Sequence, residues 1–221
     1  MKFSRIGLLS AAVVVATSAS AQIVQNGSFE NFTGTFASDN GAQLTTSSTT
    51  LTGWTIVGGE IAVLKNSNAY NLTASDGANF LDLAGYSNGG FPKGVSQLLT
   101  GLSAGQTYTV SMDLGIRNGA CVGGLNNCGG PIQVSARVAG TSQTFTHSSN
   151  TAGNVWDRFS SNFVANGSSE LLTIQGVSAS GGQYIGLDNV SVSPVPEPTT
   201  WGLMLAGLVA VGVMARGRTS G

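Results

Sequence analysis

The segment "TYTVSMDLG", residues 107–115, alternates with a period of two: Tyr108, Val110, Met112 and Leu114 share one parity, and Thr107, Thr109, Ser111 and Asp113 share the other. Successive side chains of an extended chain point to opposite faces, so this is a strand with one face on a core and the other toward polar surroundings. Shorter runs of the same kind lie on both sides of it. They are "GWTIV", "EIAVL", "NFLDLAG" and "GVSQLLT" before it, and "PIQVSARVAG", "SQTFTH", "DRFSSNFVA", "LLTIQG" and "YIGLDNVSV" after it. Clusters of Gly, Asn, Ser and Thr divide them, as turns require. No stretch between residues 22 and 193 carries an apolar stripe at helical spacing, and its glycines and β-branched residues would weaken any helix. Many short strands at short spacing predict an all-β fold, a jelly-roll β-sandwich. The tract "LTTSSTTLTG" reads as a loop or an edge strand.

The two ends of the 221-residue chain read differently. Lys2 and Arg5 precede the apolar run 6–16, and "ASA" supplies the small residues a signal peptidase needs, so residues 1–21 read as a signal peptide cleaved after Ala21. The domain expected to fold is 22–193, and 194–221 forms a separate tail.

Between residues 22 and 193 there are five basic and nine acidic residues, net −4. A nucleic-acid binder needs a clustered basic face, so nucleic acid is set aside as a partner. Charged residues make up only 9% of the chain, and Ser, Thr, Asn and Gln occupy the outward parity instead. Cys121 and Cys128, in "GACVGGLNNCGG", are the only cysteines. In an exported chain the six residues between them, glycines included, allow a disulfide across a loop tip, worth about 2–3 kcal/mol by loop-entropy arithmetic. A metal site there would lack ligands, because His147 is the sole histidine.

Two acids stand at opposite ends of the domain, Glu30 in "NGSFE" and Asp188 in "IGLDNVSV". On a regular strand Asp188 shares parity with Val190 and Val192, which aims its carboxylate at the core, where it needs a partner. That partner is a hydrogen-bond donor, a basic residue or a cation; Ca²⁺ takes oxygen ligands that a Gly-containing turn such as "NGS" can help supply. The plainer alternative leaves Glu30 exposed and Asp188 capping a turn.

In order, "QIVQNGSFE", "LTGWTIVGGEIAVL", "GANFLDLAG", "GVSQLLTGLSAGQTYTVSMDLG", "VWDRFSSNFVA" and "IGLDNVSV" resemble the choice-of-anchor C type domains. These are close to a family of galactose-binding-like jelly rolls of plant cell-wall and bacterial surface proteins. The resemblance covers most of 22–193, and its most specific parts are "NGSFE" and "LDNVSV". It implies a structural Ca²⁺ held by the Glu30 and Asp188 side chains with the Ser28 carbonyl as a third ligand. The cysteine-bearing "NGACVGGLNNCGGPI" departs from the pattern.

Trp54, Trp156, Tyr70, Tyr86, Phe91 and Tyr184 are the aromatic candidates for stacking on a sugar ring. Trp54 and Trp156 open apolar runs and are expected in the core. Tyr86 and Phe91, in the glycine-rich "GYSNGGFPKG", are the surface candidates, and Asp82 in "FLDL" is a candidate polar contact, with a strand-edge hydrogen bond as the plainer alternative. His147, in the polar run "TFTHSSN", is expected at the surface; no motif marks a neighbouring serine as a nucleophile, and no glycine cluster has the order of a phosphate loop. The chain is therefore expected not to be an enzyme.

The tail contains "TTWGLMLAGLVAVGVMA", 199–215, about 25 Å as a helix against a hydrocarbon core of about 30 Å, with Trp201 at one end and Arg216 and Arg218 at the other. Immediately before it stands "VPEP": Val195, Pro196, Glu197 and Pro198. This order of Pro-Glu-Pro, short apolar helix and terminal arginines resembles the PEP-CTERM sorting signal over about 194–218. The resemblance implies recognition by an exosortase, a transient inner-membrane anchor, and delivery to the cell surface or extracellular matrix of an exopolysaccharide-making Gram-negative bacterium. Together the readings predict an exported surface protein that binds polysaccharide through a calcium-stabilised jelly roll. The alternative is a structural or adhesive surface protein with no glycan site.

Overall fold

The computed structural model describes residues 22–86, 90–118, 131–179, 184–196 and 204–209. The expected signal peptide with Ala21, the cysteines Cys121 and Cys128, and the tail residues Glu197, Pro198, Arg216 and Arg218 lie outside the described residues. So does most of 199–215. Residues 204–209 are helical, and among the described residues no helix is long and apolar enough to cross a membrane.

Eleven strands are described: β1 (Gly41–Leu44), β2 (Thr55–Val57), β3 (Ile61–Lys65), β4 (Asn79–Asp82), β5 (Lys93–Thr100), β6 (Thr107–Asn118), β7 (Ile132–Val138), β8 (Thr141–His147), β9 (Gly153–Val164), β10 (Ser169–Ala179) and β11 (Gly186–Pro194). They form two antiparallel sheets, one in the order β1-β3-β4-β11-β6-β9 and the other in the order β2-β5-β10-β7-β8. This is the all-β jelly-roll sandwich that the alternation predicts. The tract "LTTSSTTLTG" opens on Leu44, the last residue of β1, and continues as loop, tied back to the chain by a bridge from Leu51 to Phe32 and by backbone bonds from Thr33 to Thr50 and from Thr52 to Asn31.

The inner faces make one core. Tyr108, Val110, Met112 and Leu114 of β6 are buried, and Ile132, Val134, Ala136 and Val138 of β7 are buried in the same cluster. Trp54 belongs there too, its ring centroid 5.5 Å from that of Phe29 and its Nε1 donating to the Asn26 carbonyl at 2.9 Å.

A second, smaller apolar cluster forms on the outer face of the six-stranded sheet. Ala62, Leu64, Phe80 and Tyr184 rise from that sheet and its border, and Leu72 closes over them from the loop 66–78, with Trp156 packed alongside. Gly115 of β6 and Gly186 of β11 stand directly opposite each other beneath it. A Cβ at either would collide with the Tyr184 hydroxyl and the Trp156 ring. The two glycines thus let both rings sit on the sheet backbone, which gives the covering loop an apolar floor.

The expected surface position of His147 is corrected. It is 2% exposed, because it shares the inward parity of Phe145 at the end of β8. Its ring centroid lies 5.6 Å from that of Phe159; Nδ1 is 3.4 Å from an Asp157 carboxylate oxygen and Nε2 is 3.4 Å from the Val155 carbonyl. The histidine ties an edge of one sheet to an edge of the other. The polar neighbours Thr146, Ser148 and Ser149 mask that parity in the sequence.

Candidate functional site

Two carboxylate-centred arrangements lie on the outer side of the six-stranded sheet. In the first, Asp188 is fully buried, but not on the core side that regular alternation implies. Asp188 pairs with Asp113 and Ser191 with Ser111, so Asn189 and Val190 together face Met112 alone. This bulge, with Asn189 at φ 48°, flips the parity. Val190 and Val192 stay inward while Asp188 joins Asp113 on the outer face, beneath the loop 66–78.

The loop supplies the donors. Asp188 Oδ2 accepts the backbone N–H groups of Ser75 (2.8 Å) and Asp76 (2.9 Å), and Oδ1 accepts that of Asn189 (2.7 Å). Glu30 reaches the far side of the same loop, where Oε1 accepts the N–H groups of Ala78 and Asn79, both at 2.7 Å. Gly77, at φ +73°, lets the loop pass over the Glu30 carboxylate, where a Cβ would not fit. Asp113 completes the set: it meets the Ser75 hydroxyl and Asn189 Nδ2, and Arg158 Nη1 bonds its other oxygen at 2.9 Å. Sequence distance is thereby closed, since Glu30 and Asp188 grip one five-residue stretch. Burial pushes the Asp188 carboxyl up to about 7 against the opposing pull of its three N–H donors.

These contacts bear on the expected calcium. Three of the four carboxylate oxygens of Glu30 and Asp188 already face amide hydrogens, so a cation there would share them with the loop. Ser28 is half-buried in the turn closed by the Phe29 N–H on the Asn26 carbonyl. Among the described residues no three His, Cys, Asp or Glu side chains converge on a metal-sized space. In the structure the loop's amides satisfy these three oxygens by themselves.

The second arrangement is open. Tyr86 is 40% exposed, and both its ends are held: its N–H donates to Glu60 Oε1 at 2.7 Å and its hydroxyl to Asp39 Oδ2 at 2.9 Å. Tyr70 donates to the same Asp39 oxygen at 3.0 Å, and Asp39 Oδ1 accepts the Gly41 N–H at 3.0 Å. Burial raises the Asp39 pKa, but the Gly41 amide and the two phenols outweigh it, so the carboxyl sits below its ordinary value. Burial and the bond to Asp39 push the Tyr86 phenol up, and it stays a donor at physiological pH. Gly41, at the start of β1, is a glycine because a Cβ there would strike the Tyr86 hydroxyl. Asp39, Gly41 and Tyr86, together with Thr35, Ala37, Ala42 and Gln43, line a surface cleft of about 290 Å³ along the β1 edge.

Of the three residues expected to touch a ligand, the structure brings Tyr86 to the cleft and sets the other two behind it. Asp82 is 6% exposed, and its Oδ1 accepts the N–H groups of Ala84 (2.9 Å) and Ile185 (3.0 Å). Burial raises its pKa to about 7, against the pull of those amides and of Lys93. Phe91 is half-buried under the Lys93 ammonium, 5.7 Å from its ring centroid, and Lys93 in turn lies 3.7 Å from Glu60. This buried charge group supports the Tyr86 turn from below. Asp39 was missed by sequence reasoning, although "SDNG" carries the side-chain-to-backbone turn signal that its bond to Gly41 realises.

A family profile described as "Protein of unknown function (DUF642)" matches residues 22–193, which hold all eleven described strands but for the last residue of β11. The chain belongs to that family. A second profile, the PEP-CTERM protein-sorting motif, matches this DUF642 protein over residues 194–218, as its Pro-Glu-Pro order implies. The motif marks an exported protein sorted toward the cell surface and implies processing by an exosortase. Among curated proteins, Halomucin of Haloquadratum walsbyi is 31% identical over 196 residues, 86% of this chain, which spans 2% of Halomucin's length. Among solved structures, the CBM22-1 xylan-binding domain of Paenibacillus barcinonensis Xyn10C is 19% identical, covering 71% of this chain and 94% of its own, with a TM-score of 0.39. The CBM61 domain solved with β-1,4-galactotriose is 15% identical, covering 80% and 100%, with a TM-score of 0.41.

Proposed function

We propose that this DUF642 protein is a non-catalytic polysaccharide-binding protein of the cell surface or extracellular matrix, with the Tyr86 cleft as its sugar site. The observation that supports this reading is an exposed aromatic ring fixed at both ends beside a carboxylate. A ring held rigid against water offers a stacking face to the C–H side of a sugar at small entropic cost. Asp39, Gln43 and Thr35 supply an ionised acceptor, an amide and a hydroxyl for the sugar's own hydroxyls. A carboxylate inside a domain of net charge −4 favours a neutral glycan over a uronic-acid or sulfated one. Glycoside hydrolysis uses two carboxylates across the bond, and Asp39 is the single acid among the cleft's lining residues. Elsewhere on the same sheet face the Glu30–Asp188 clamp fixes residues 75–79 through backbone amides. Before processing, the apolar tail anchors the protein in the inner membrane.

Affinity electrophoresis through gels containing neutral or acidic polysaccharides, the producer's own included, tests the reading. Retardation by a neutral polysaccharide that Tyr86→Ala abolishes is expected. Absence of retardation in every gel would leave the structural or adhesive role instead.

A further inference from the structure

The sorting motif begins inside the folded domain. Its match opens at residue 194, and Pro194 is the last residue of β11, paired with Tyr108. The Val195 N–H then donates to the Thr107 carbonyl at 2.9 Å. Gln106 Nε2 donates to the Val195 carbonyl at 2.9 Å and to the Thr107 carbonyl at 3.1 Å. Gln106 is itself fixed, since its N–H donates to the Ser103 carbonyl at 3.1 Å and its carbonyl accepts the Ala165 N–H at 3.0 Å. Both backbone groups of Val195, a residue of the sorting motif, are therefore rungs of the sandwich.

An extended peptide is commonly recognised by pairing its N–H and C=O groups with the recognising protein. Those of Val195 are already paired with the domain, and peeling them away would strand Gln106 and break the end of β11. We infer that this last rung, closed by Gln106, sets the N-terminal limit of exosortase processing: the cut bond lies beyond Pro196, and the processed protein keeps Val195 and Pro196. With no linker between β11 and the motif, the end of the sandwich bearing Ser103, Gln106 and Ala165 faces the membrane protease. The inference rests on the tail being processed by that enzyme, as the motif implies.

Intact-mass spectrometry of the full chain, recovered from the producing bacterium and from the same strain lacking its exosortase, tests it. The processed wild-type protein is expected to end at residue 196 or later. Gln106→Glu keeps the side-chain length but removes both donors; it should add species ending before residue 196 or speed processing severalfold. Thr109→Ala, which loses only a surface bond to Asn162, should leave termini and rate as in the wild type. A wild-type C-terminus at or before Val195 overturns the inference. So does a Gln106→Glu protein with wild-type termini and rate; should that variant not fold, the wild-type terminus alone decides. A shortened form that also arises without the exosortase removes the underlying reading, and the inference with it.

Discussion

The Asp188 clamp and the Asp39 cleft lie on the same side of one sheet, and each centres on a carboxylate that fixes a loop, yet they differ in what fills the carboxylate. Asp188 is fully buried and surrounded by backbone amides of the loop it holds. Asp39 is half-buried and takes two phenol hydroxyls, one of them from Tyr86, a residue that remains 40% exposed. Their acidities move in opposite directions, up to about 7 for Asp188 and down for Asp39. A carboxylate saturated by local amides has a structural use; one that positions an exposed aromatic ring leaves a surface for a ligand.

The largest expected effect separates the two regions by mutation. Asp188→Ala leaves three N–H groups without an acceptor, and at about 1–3 kcal/mol per orphaned donor, partly relieved by entering water, a loss of about 3 kcal/mol is expected. For a domain of this size that lowers Tm by about 6–12 °C. Differential scanning calorimetry measures the shift, and gel retardation well below the melting range should be unchanged. If Asp188→Ala loses polysaccharide binding while keeping its Tm, the assignment of the two regions is reversed.

A smaller effect follows from pH. Asp82 and Asp188 titrate near 7 in the folded protein against 3.8 for an unperturbed aspartate, so between about pH 4 and 7 the folded chain holds protons that the unfolded chain has released. Stability therefore falls as pH rises through that window. Asp39 acts oppositely: its lowered pKa contributes stability that is lost as pH falls below about 4. Tm should be higher at pH 5 than at pH 8, and Asp188→Asn should shrink the difference. An equal or higher Tm at pH 8 would contradict the burial assigned to these two groups.

The smallest expected effect is none. Because amides satisfy three of the four Glu30 and Asp188 carboxylate oxygens, adding EDTA or millimolar Ca²⁺ should leave Tm unchanged within the error of the scan. A rise of several degrees with Ca²⁺ that disappears in Asp188→Ala would restore the cation to the clamp.

Ten of the eleven described strands are legible as alternating runs, because a core-facing parity is a local property of the sequence. The four-residue β1 is not, since "GAQL" is too short to alternate and runs into a Ser/Thr tract. Glu30 and Asp188 stand out as acids in specific motifs, but their common loop depends on a β11 bulge that no alternation signals. Tyr86 is legible because a glycine-rich loop exposes what it carries. Its partner Asp39 lies 47 residues away, and only folding brings the hydroxyl and carboxylate together. For Asp82 the sequence leaves a sugar contact and a strand-edge hydrogen bond both open, because its neighbours do not reveal the Ile185 amide that binds it from 103 residues away.

The central claim is that the ring of Tyr86, held between Glu60 and Asp39, binds a neutral polysaccharide, and retardation of wild-type protein against Tyr86→Ala in a neutral-polysaccharide gel tests it most directly. The account predicts clear retardation of the wild type, a loss of at least about tenfold in affinity for Tyr86→Ala, equivalent to about 1.4 kcal/mol, and nearly equal Tm values. Equal retardation of the two proteins would contradict it.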